Sequence, residues 1–216
     1  VREGKTPRAF CAPLHVPDNI MLVVMPRGGY DDYHTILHEA GHAWHYGSVL
    51  PEQEFEYKYL GDNSVTESYA FLFQYLAMNE NWVSEYTQGS RLEEYIRFST
   101  LKKLYMLRRY AAKLLYELQL HSGGDLSRMP SSAWKNISYA LKIRHPEVYY
   151  LDDLDDCFYY AKHLKDWIFE DQFRYFLIER FGEREYAYPE KVEVLNDLFT
   201  RGQKYSVEEM AESVGL

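Results

Sequence analysis

The stretch HEAGHAWH, residues 38–45, places three histidines and one glutamate within eight positions. It lies inside residues 31–48, which begin with two aspartates and read as a single helix. On a helix, His38 and His42 share one face, and this spacing lets two imidazoles bind one zinc ion. Glu39 follows the first histidine, close enough to reach a metal-bound water without binding the metal. The pattern is the H-E-x-x-H arrangement, in which the glutamate acts as general base.

A catalytic zinc ion needs a third protein ligand in addition to a water molecule. Glu67 is the candidate, because it lies near the start of an apolar helix predicted over residues 63–79, where a carboxylate is otherwise out of place. The residues from Ser64 to Glu67 also read as a capping box, which is a purely structural alternative. We favour the ligand, since an open site with three ligands requires it.

Further residues of the first helix lie close to the histidine pair. His34 and His45 flank it, and His45 is better suited to orienting a ligand than to binding the metal itself. For both, a surface histidine is the alternative. Gly41 is expected to keep the space beside the metal open. The alternative for the whole stretch is a histidine-rich helix whose imidazoles are satisfied in the core.

Composition and charge limit the classes of partner. The chain has 216 residues and a net charge of -9, which argues against nucleic acid as a partner. Neither a signal peptide nor an apolar run of membrane-spanning length is visible, so no membrane partner is predicted. With only Cys11 and Cys157, we expect no disulfide and a cytoplasmic, reducing location. The oligomeric state stays open.

The order of patterns along the chain predicts a mainly α fold with a small β-hairpin. We expect one catalytic domain over residues 1–216, with a hairpin lead-in at 1–30, the metal-site helices and a long helix at 31–121, and a C-terminal helical part at 122–216. The two β-prone runs are 8–16 and 19–26, joined by the turn signal PDN, and residues 50–62 are predicted as a loop. The remaining predicted helices cover 91–120, 131–145, 158–182, 189–202 and 206–215.

HEAGHAWH followed by Glu67, 25 residues after His42, resembles the thimet oligopeptidase and oligoendopeptidase F family of zinc peptidases, which are gluzincins. Their active-site helix reads H-E-x-G-H-x-x-H, and the next helix supplies a glutamate. Residues 8–39 are similar to the hairpin and glycine-containing turn that precede this helix. The resemblance implies a zincin-like helical domain, one zinc per chain on His38, His42 and Glu67, and Glu39 as base. Because family members are much longer, it also implies a C-terminal catalytic fragment.

The same resemblance implies a late tyrosine-rich helix segment that faces the metal. Its nearest counterpart here is CFYYAKHLKDWIF, residues 157–169. Tyr160, slightly preferred over Tyr159, is the candidate hydroxyl donor to the oxyanion, with His163 as a helper on the same face. Simple core packing is the alternative for these aromatics. Tyr149 and Tyr150 are the next candidates for this hydroxyl donor.

The predicted function is hydrolysis of oligopeptides by a zinc-activated water, with Glu39 as general base. One alternative is a zinc carboxypeptidase of a related helical family, which would need a basic residue to hold the substrate's C-terminal carboxylate. Another is a non-catalytic binding module with a vestigial metal site. The acidic run DDLDD, residues 152–156, could hold a substrate N-terminus, but a solvated linker is the favoured interpretation.

Overall fold

A computed structural model describes residues 8–87, 91–123, 125–151, 154 and 156–216. Across these residues the chain forms nine α-helices and one two-stranded antiparallel sheet, which confirms the mainly α fold with a small hairpin. The helices are α1 Tyr30–Ser48, α2 Phe55–Tyr59, α3 Asn63–Gln74, α4 Glu80–Tyr86, α5 Leu92–His121, α6 Met129–Leu141, α7 Tyr159–Phe181, α8 Pro189–Phe199 and α9 Val207–Val214.

The hairpin forms where the two β-prone runs were predicted. Strand β1, Phe10–His15, pairs antiparallel with β2, Asn19–Val23, so that Cys11 lies opposite Leu22. Both strands pack against α1. The hairpin therefore places its backbone beside the helix that carries the histidine pair.

Two helices, α2 and α4, were not predicted, and α2 lies in the segment expected to be a loop. A helix of five residues is too short to be stable on its own, so tertiary contacts must stabilise it. In α2 those contacts are the Tyr57 carbonyl, which accepts from Gln203 N at 2.8 Å, and the Tyr59 hydroxyl, which accepts from Val16 N at 2.8 Å. Both partners are distant in sequence.

The described residues group into two compact units, one from the described parts of 1–96 and 166–216, and one from the described parts of 97–165. The prediction of a single catalytic domain over the whole chain stays a prediction. The first unit has a core from α3, α7, α8 and α9, and the second a smaller one around Tyr116, Met129 and Ala133. The core of the first unit contains Val65, Tyr69, Leu72, Phe169, Phe173, Leu177, Leu195, Leu198, Phe199, Val207 and Met210.

Helices α1 and α3 approach closely at Gly41. A Cβ atom at this position would lie 2.7 Å from Ala70 Cα and 3.0 Å from the Tyr69 carbonyl oxygen. The space beside Gly41 is thus filled by the backbone of α3. The expectation that Gly41 keeps room for the metal was wrong, because the missing side chain serves helix packing.

Both cysteines are free: Cys11 is half-buried on β1 and Cys157 is exposed, which confirms the prediction that no disulfide joins them. Within the described ranges, none of the helices combines the length and the apolar character that a membrane span requires.

The contact at Gly41 leads to a stability prediction with an internal control. Gly41→Ala should lower the free energy of unfolding by about 1–3 kcal/mol, because the new methyl group meets backbone that cannot rotate away. Gly47→Ala, on the same helix, meets nothing within 4 Å and should raise it by up to about 1 kcal/mol through helix propensity. Urea unfolding of the metal-free proteins measures both. Equal effects of the two substitutions would contradict the close approach.

Candidate metal centre

Three side chains converge where α1 meets α3. The rings of His38 and His42, one helical turn apart, have centroids separated by 4.9 Å. From α3, the carboxylate of Glu67 faces both, with distances of 3.5 Å from Oε2 to His38 Nε2 and 3.7 Å from Oε1 to His42 Nε2. One ligand atom of each residue lies within 4.8 Å of the others, so the group could hold a metal ion. The predicted ligands are therefore brought together.

The chemistry of these donors fits a divalent transition metal. The side chains of His38, His42 and Glu67 are 19%, 11% and 18% exposed, so the cluster is mostly shielded from water but still accessible. Burial lowers the pKa of His42 to about 3, with smaller effects of His38 and His45 in the same direction. His42 is therefore a neutral imidazole at neutral pH, which is the form that binds metals. Two imidazoles and one carboxylate form a donor set suited to zinc.

Glu39 follows His38 in the chain, but its side chain is not part of the ligand group. Its carboxylate accepts a hydrogen bond from the backbone N–H of Cys11 on β1. Burial raises the pKa of Glu39, and the Cys11 N–H partly offsets this effect. This hydrogen bond ties the Glu39 carboxylate to the hairpin, and the carboxylate lies outside the group of three ligand side chains.

The start of α3 differs from the capping-box alternative. The N-cap is Asp62, whose side chain accepts from Ser64 N at 2.9 Å. Ser64 is therefore inside the helix, and Glu67 does not occupy the N3 position that a capping box uses. The residue before it, Thr66, was not singled out from the sequence, yet its Oγ1 lies 2.9 Å from His42 Nδ1. The sequence signal that could have identified Thr66 is its position directly before the candidate ligand Glu67 on α3.

The two flanking histidines have other partners. The hydroxyl of Tyr95 donates to the Ala77 carbonyl at 2.7 Å, so it accepts from His34 Nε2, also at 2.7 Å. His45 is fully buried, donates from Nε2 to the Gly202 carbonyl at 3.3 Å and packs on Tyr69. The expectation that His45 orients a metal ligand was wrong, and so was its alternative of a surface histidine, because the side chain is fully buried. It is a core histidine of α1.

Tyr159, Tyr160 and His163 belong to the second compact unit. Tyr160 is 3% exposed, and Lys113 Nζ donates to its hydroxyl at 3.2 Å. His163 is buried, with its ring 4.3 Å from that of Tyr159, which is 37% exposed. The catalytic roles of these three residues stay predictions, and so does the role of Tyr149 and Tyr150 as the next candidates. The acidic run 152–156 lies largely outside the described residues.

Comparison of the chain with protein-family models, curated proteins and solved structures gave no match. The resemblance to the oligopeptidase family therefore stays a prediction.

Burial of His45 predicts sensitivity to acid. Its pKa is lowered from the ordinary 6.5 to about 4 by burial, although the hydrogen bond to Gly202 acts in the opposite direction. Below pH 6.5 the unfolded chain binds a proton that the folded chain accepts only near pH 4. Stability from this group is therefore complete above pH 6.5 and falls by roughly 3 kcal/mol as the pH drops towards 4.

His45→Phe removes this titration while keeping a flat ring in the core. Urea unfolding in EDTA at pH 7.5 and pH 4.5 should show a loss of stability that is smaller in the variant than in the wild type. If both proteins lose the same free energy between these pH values, His45 does not titrate as a buried group.

Proposed function

We propose that the chain is a zinc-dependent metallopeptidase that hydrolyses peptide bonds of oligopeptides. The observation that carries the proposal is the convergence of His38 Nε2, His42 Nε2 and the Glu67 carboxylate, with Glu39 held outside this group. Three protein ligands leave one coordination position of a tetrahedral ion open, as catalytic zinc sites require. Structural zinc sites instead use four protein ligands.

The donor set favours zinc over the common hard cations. Calcium and magnesium prefer oxygen ligands, whereas two of the three donors here are imidazole nitrogens. A zinc ion held by His38, His42 and Glu67 would supply a Lewis acid and lower the pKa of a water molecule towards neutrality.

Glu39 is the residue that moves protons in this proposal. Its carboxylate accepts a proton from the water whose oxygen bonds to the carbonyl carbon of the substrate. It then delivers that proton to the amine as the carbon–nitrogen bond breaks. Partial burial supports this role, because it raises the pKa of Glu39 and so makes the carboxylate a stronger base. The Cys11 N–H holds the carboxylate in one orientation.

A hydroxyl group that donates to the developing oxyanion completes the proposal. Tyr160 and Tyr159 are the candidates, with His163 as helper. Lys113 donates to the Tyr160 oxygen at 3.2 Å, and this contact restricts the orientation of the phenol. The more exposed Tyr159 is the matched alternative on the same helix.

The proposal predicts separable effects on metal and activity. Glu39→Gln should retain one zinc per chain and lower the rate of peptide hydrolysis by about 10²–10⁴-fold, because the amide keeps the shape and loses the base. Glu67→Ala should lower zinc retention itself. Elemental analysis and cleavage of a mixed peptide library measure the two effects, and Glu52→Gln in an exposed turn serves as control.

The outcomes separate the competing functions. A wild-type protein that holds zinc but cleaves no peptide would be a binding module with a metal site. Removal of single residues from the C-terminus of peptides would identify a carboxypeptidase. Full activity of Glu39→Gln would require a different base.

The tyrosines are tested by kinetics. Tyr160→Phe should lower kcat by about 10²–10³-fold while KM and zinc content stay close to the wild-type values, because only a transition-state contact is lost. Tyr159→Phe is the comparison on the same helix, and Tyr139→Phe, at 77% exposed, is the control for loss of a phenol. If both helix variants leave kcat within about twofold, the donor lies elsewhere.

A further inference from the structure

Behind His42, polar side chains from distant parts of the chain are joined by hydrogen bonds. Thr66 Oγ1 lies 2.9 Å from His42 Nδ1, on the side of the ring opposite the Nε2 that faces Glu67. The hydroxyl of Tyr46 is hydrogen-bonded to Thr66 and also accepts from Gln203 Nε2 at 3.1 Å. Tyr46 follows His42 by one turn of α1, whereas Gln203 lies beyond the end of α8.

The outer end of this series of hydrogen bonds, at Gln203, is fixed by backbone packing. Gln203 is 4% exposed, and its N–H donates to the Tyr57 carbonyl at 2.8 Å. A Cβ atom on Gly61 would lie 2.1 Å from the Gln203 carbonyl oxygen, and one on Gly202 would lie 2.6 Å from the Tyr57 oxygen. Backbone this tightly packed leaves little freedom for Gln203 to move.

The inner end of the series of hydrogen bonds, at His42, has matching donors and acceptors. When His42 binds a metal through Nε2, its Nδ1 carries the hydrogen and needs an acceptor. Thr66 Oγ1 can accept that hydrogen bond and donate its own hydrogen to Tyr46. Thr66 is 1% exposed, so water does not replace this partner. The arrangement selects one tautomer and one ring orientation of His42.

We propose that Thr66 is a positioning residue that fixes His42 for metal binding, and that Tyr46 and Gln203 hold the Thr66 hydroxyl in place. This inference rests on the proposed zinc site. Two successive residues of α3 then have complementary tasks: Thr66 orients a ligand on α1, and Glu67 supplies the next ligand. Partners of this kind typically change metal affinity by 10–100-fold.

The first test measures zinc affinity in the full chain by competition with a chelating dye at pH 7.4. Thr66→Val keeps the shape and removes the hydroxyl, so the zinc Kd should rise by roughly 10–100-fold. Thr66→Ser restores the hydroxyl and should bring the Kd back to within about threefold of the wild type.

Ser64→Ala is the matched control. Ser64 is also on α3 and 1% exposed, but its hydroxyl has no hydrogen-bond partner among the described residues. Its loss should leave the zinc Kd unchanged. An equal weakening by Ser64→Ala and Thr66→Val would indicate a packing effect and overturn the inference.

The second test asks whether Thr66 and Tyr46 act on His42 through one connected series of hydrogen bonds. Tyr46→Phe should weaken zinc binding less than Thr66→Val, and the double variant should resemble Thr66→Val alone, because the chain is already broken at its inner end. In the cobalt-substituted protein, Thr66→Val should shift the visible absorption bands, whereas Ser64→Ala should not. Strictly additive losses of zinc affinity, or unchanged cobalt absorption bands in Thr66→Val, would contradict a connected series of hydrogen bonds.

The results also distinguish this inference from the proposed peptidase function. If the wild type binds zinc and shows these effects without cleaving peptides, the positioning role stands and the peptidase proposal fails. If the wild type cleaves peptides and Thr66→Val binds zinc as tightly, only the positioning role fails. A wild type that binds no zinc overturns both.

Discussion

The close approach of α1 and α3 is the contact on which the candidate centre depends. Gly41 permits it, since a side chain there would meet the backbone of Ala70. Two imidazoles on α1 alone would offer a metal two ligands, and Glu67 could supply a third only because α3 lies this near. Helix packing and the donor set are therefore one structural feature, and a change in the separation of the helices would move the carboxylate away from both nitrogens.

Burial has different consequences for histidines that follow one another on the same helix. His42 and His45 both have lowered pKa values and are neutral, but their free nitrogens meet different surroundings. His42 directs Nε2 towards Glu67 and is hydrogen-bonded through Nδ1 to Thr66. His45 uses Nε2 to bond the Gly202 carbonyl, and its Nδ1 has no partner among the described residues. His42 belongs to the group that could hold a metal ion, whereas His45 fills the core.

The residues near the centre come from segments that are far apart in the chain. The hairpin provides the Cys11 N–H to Glu39, α3 provides Thr66 and Glu67, and the turn after α8 provides Gln203. Cys11 contacts Glu39, Thr66 contacts His42 and Gln203 contacts Tyr46, whereas Glu67 faces both histidines of the pair. The side chains of α1 therefore find their partners on several separate elements of the fold.

Local regularity determined what the sequence alone could predict. The i, i+4 spacing placed His38 and His42 on one face, the periodic segments gave seven of the helices, and the PDN turn gave the hairpin. Tertiary structure decided the rest: that Gly41 serves packing, that His45 is a core residue, that Asp62 caps α3 and that Thr66 is hydrogen-bonded to His42. The five-residue helix α2 depends on Gln203 and Val16 in the same way. Most of these features arise from contacts between residues that are tens to more than a hundred positions apart, and one arises from the choice between neighbouring capping residues. Helical periodicity carries no information about which distant backbone fills a given space.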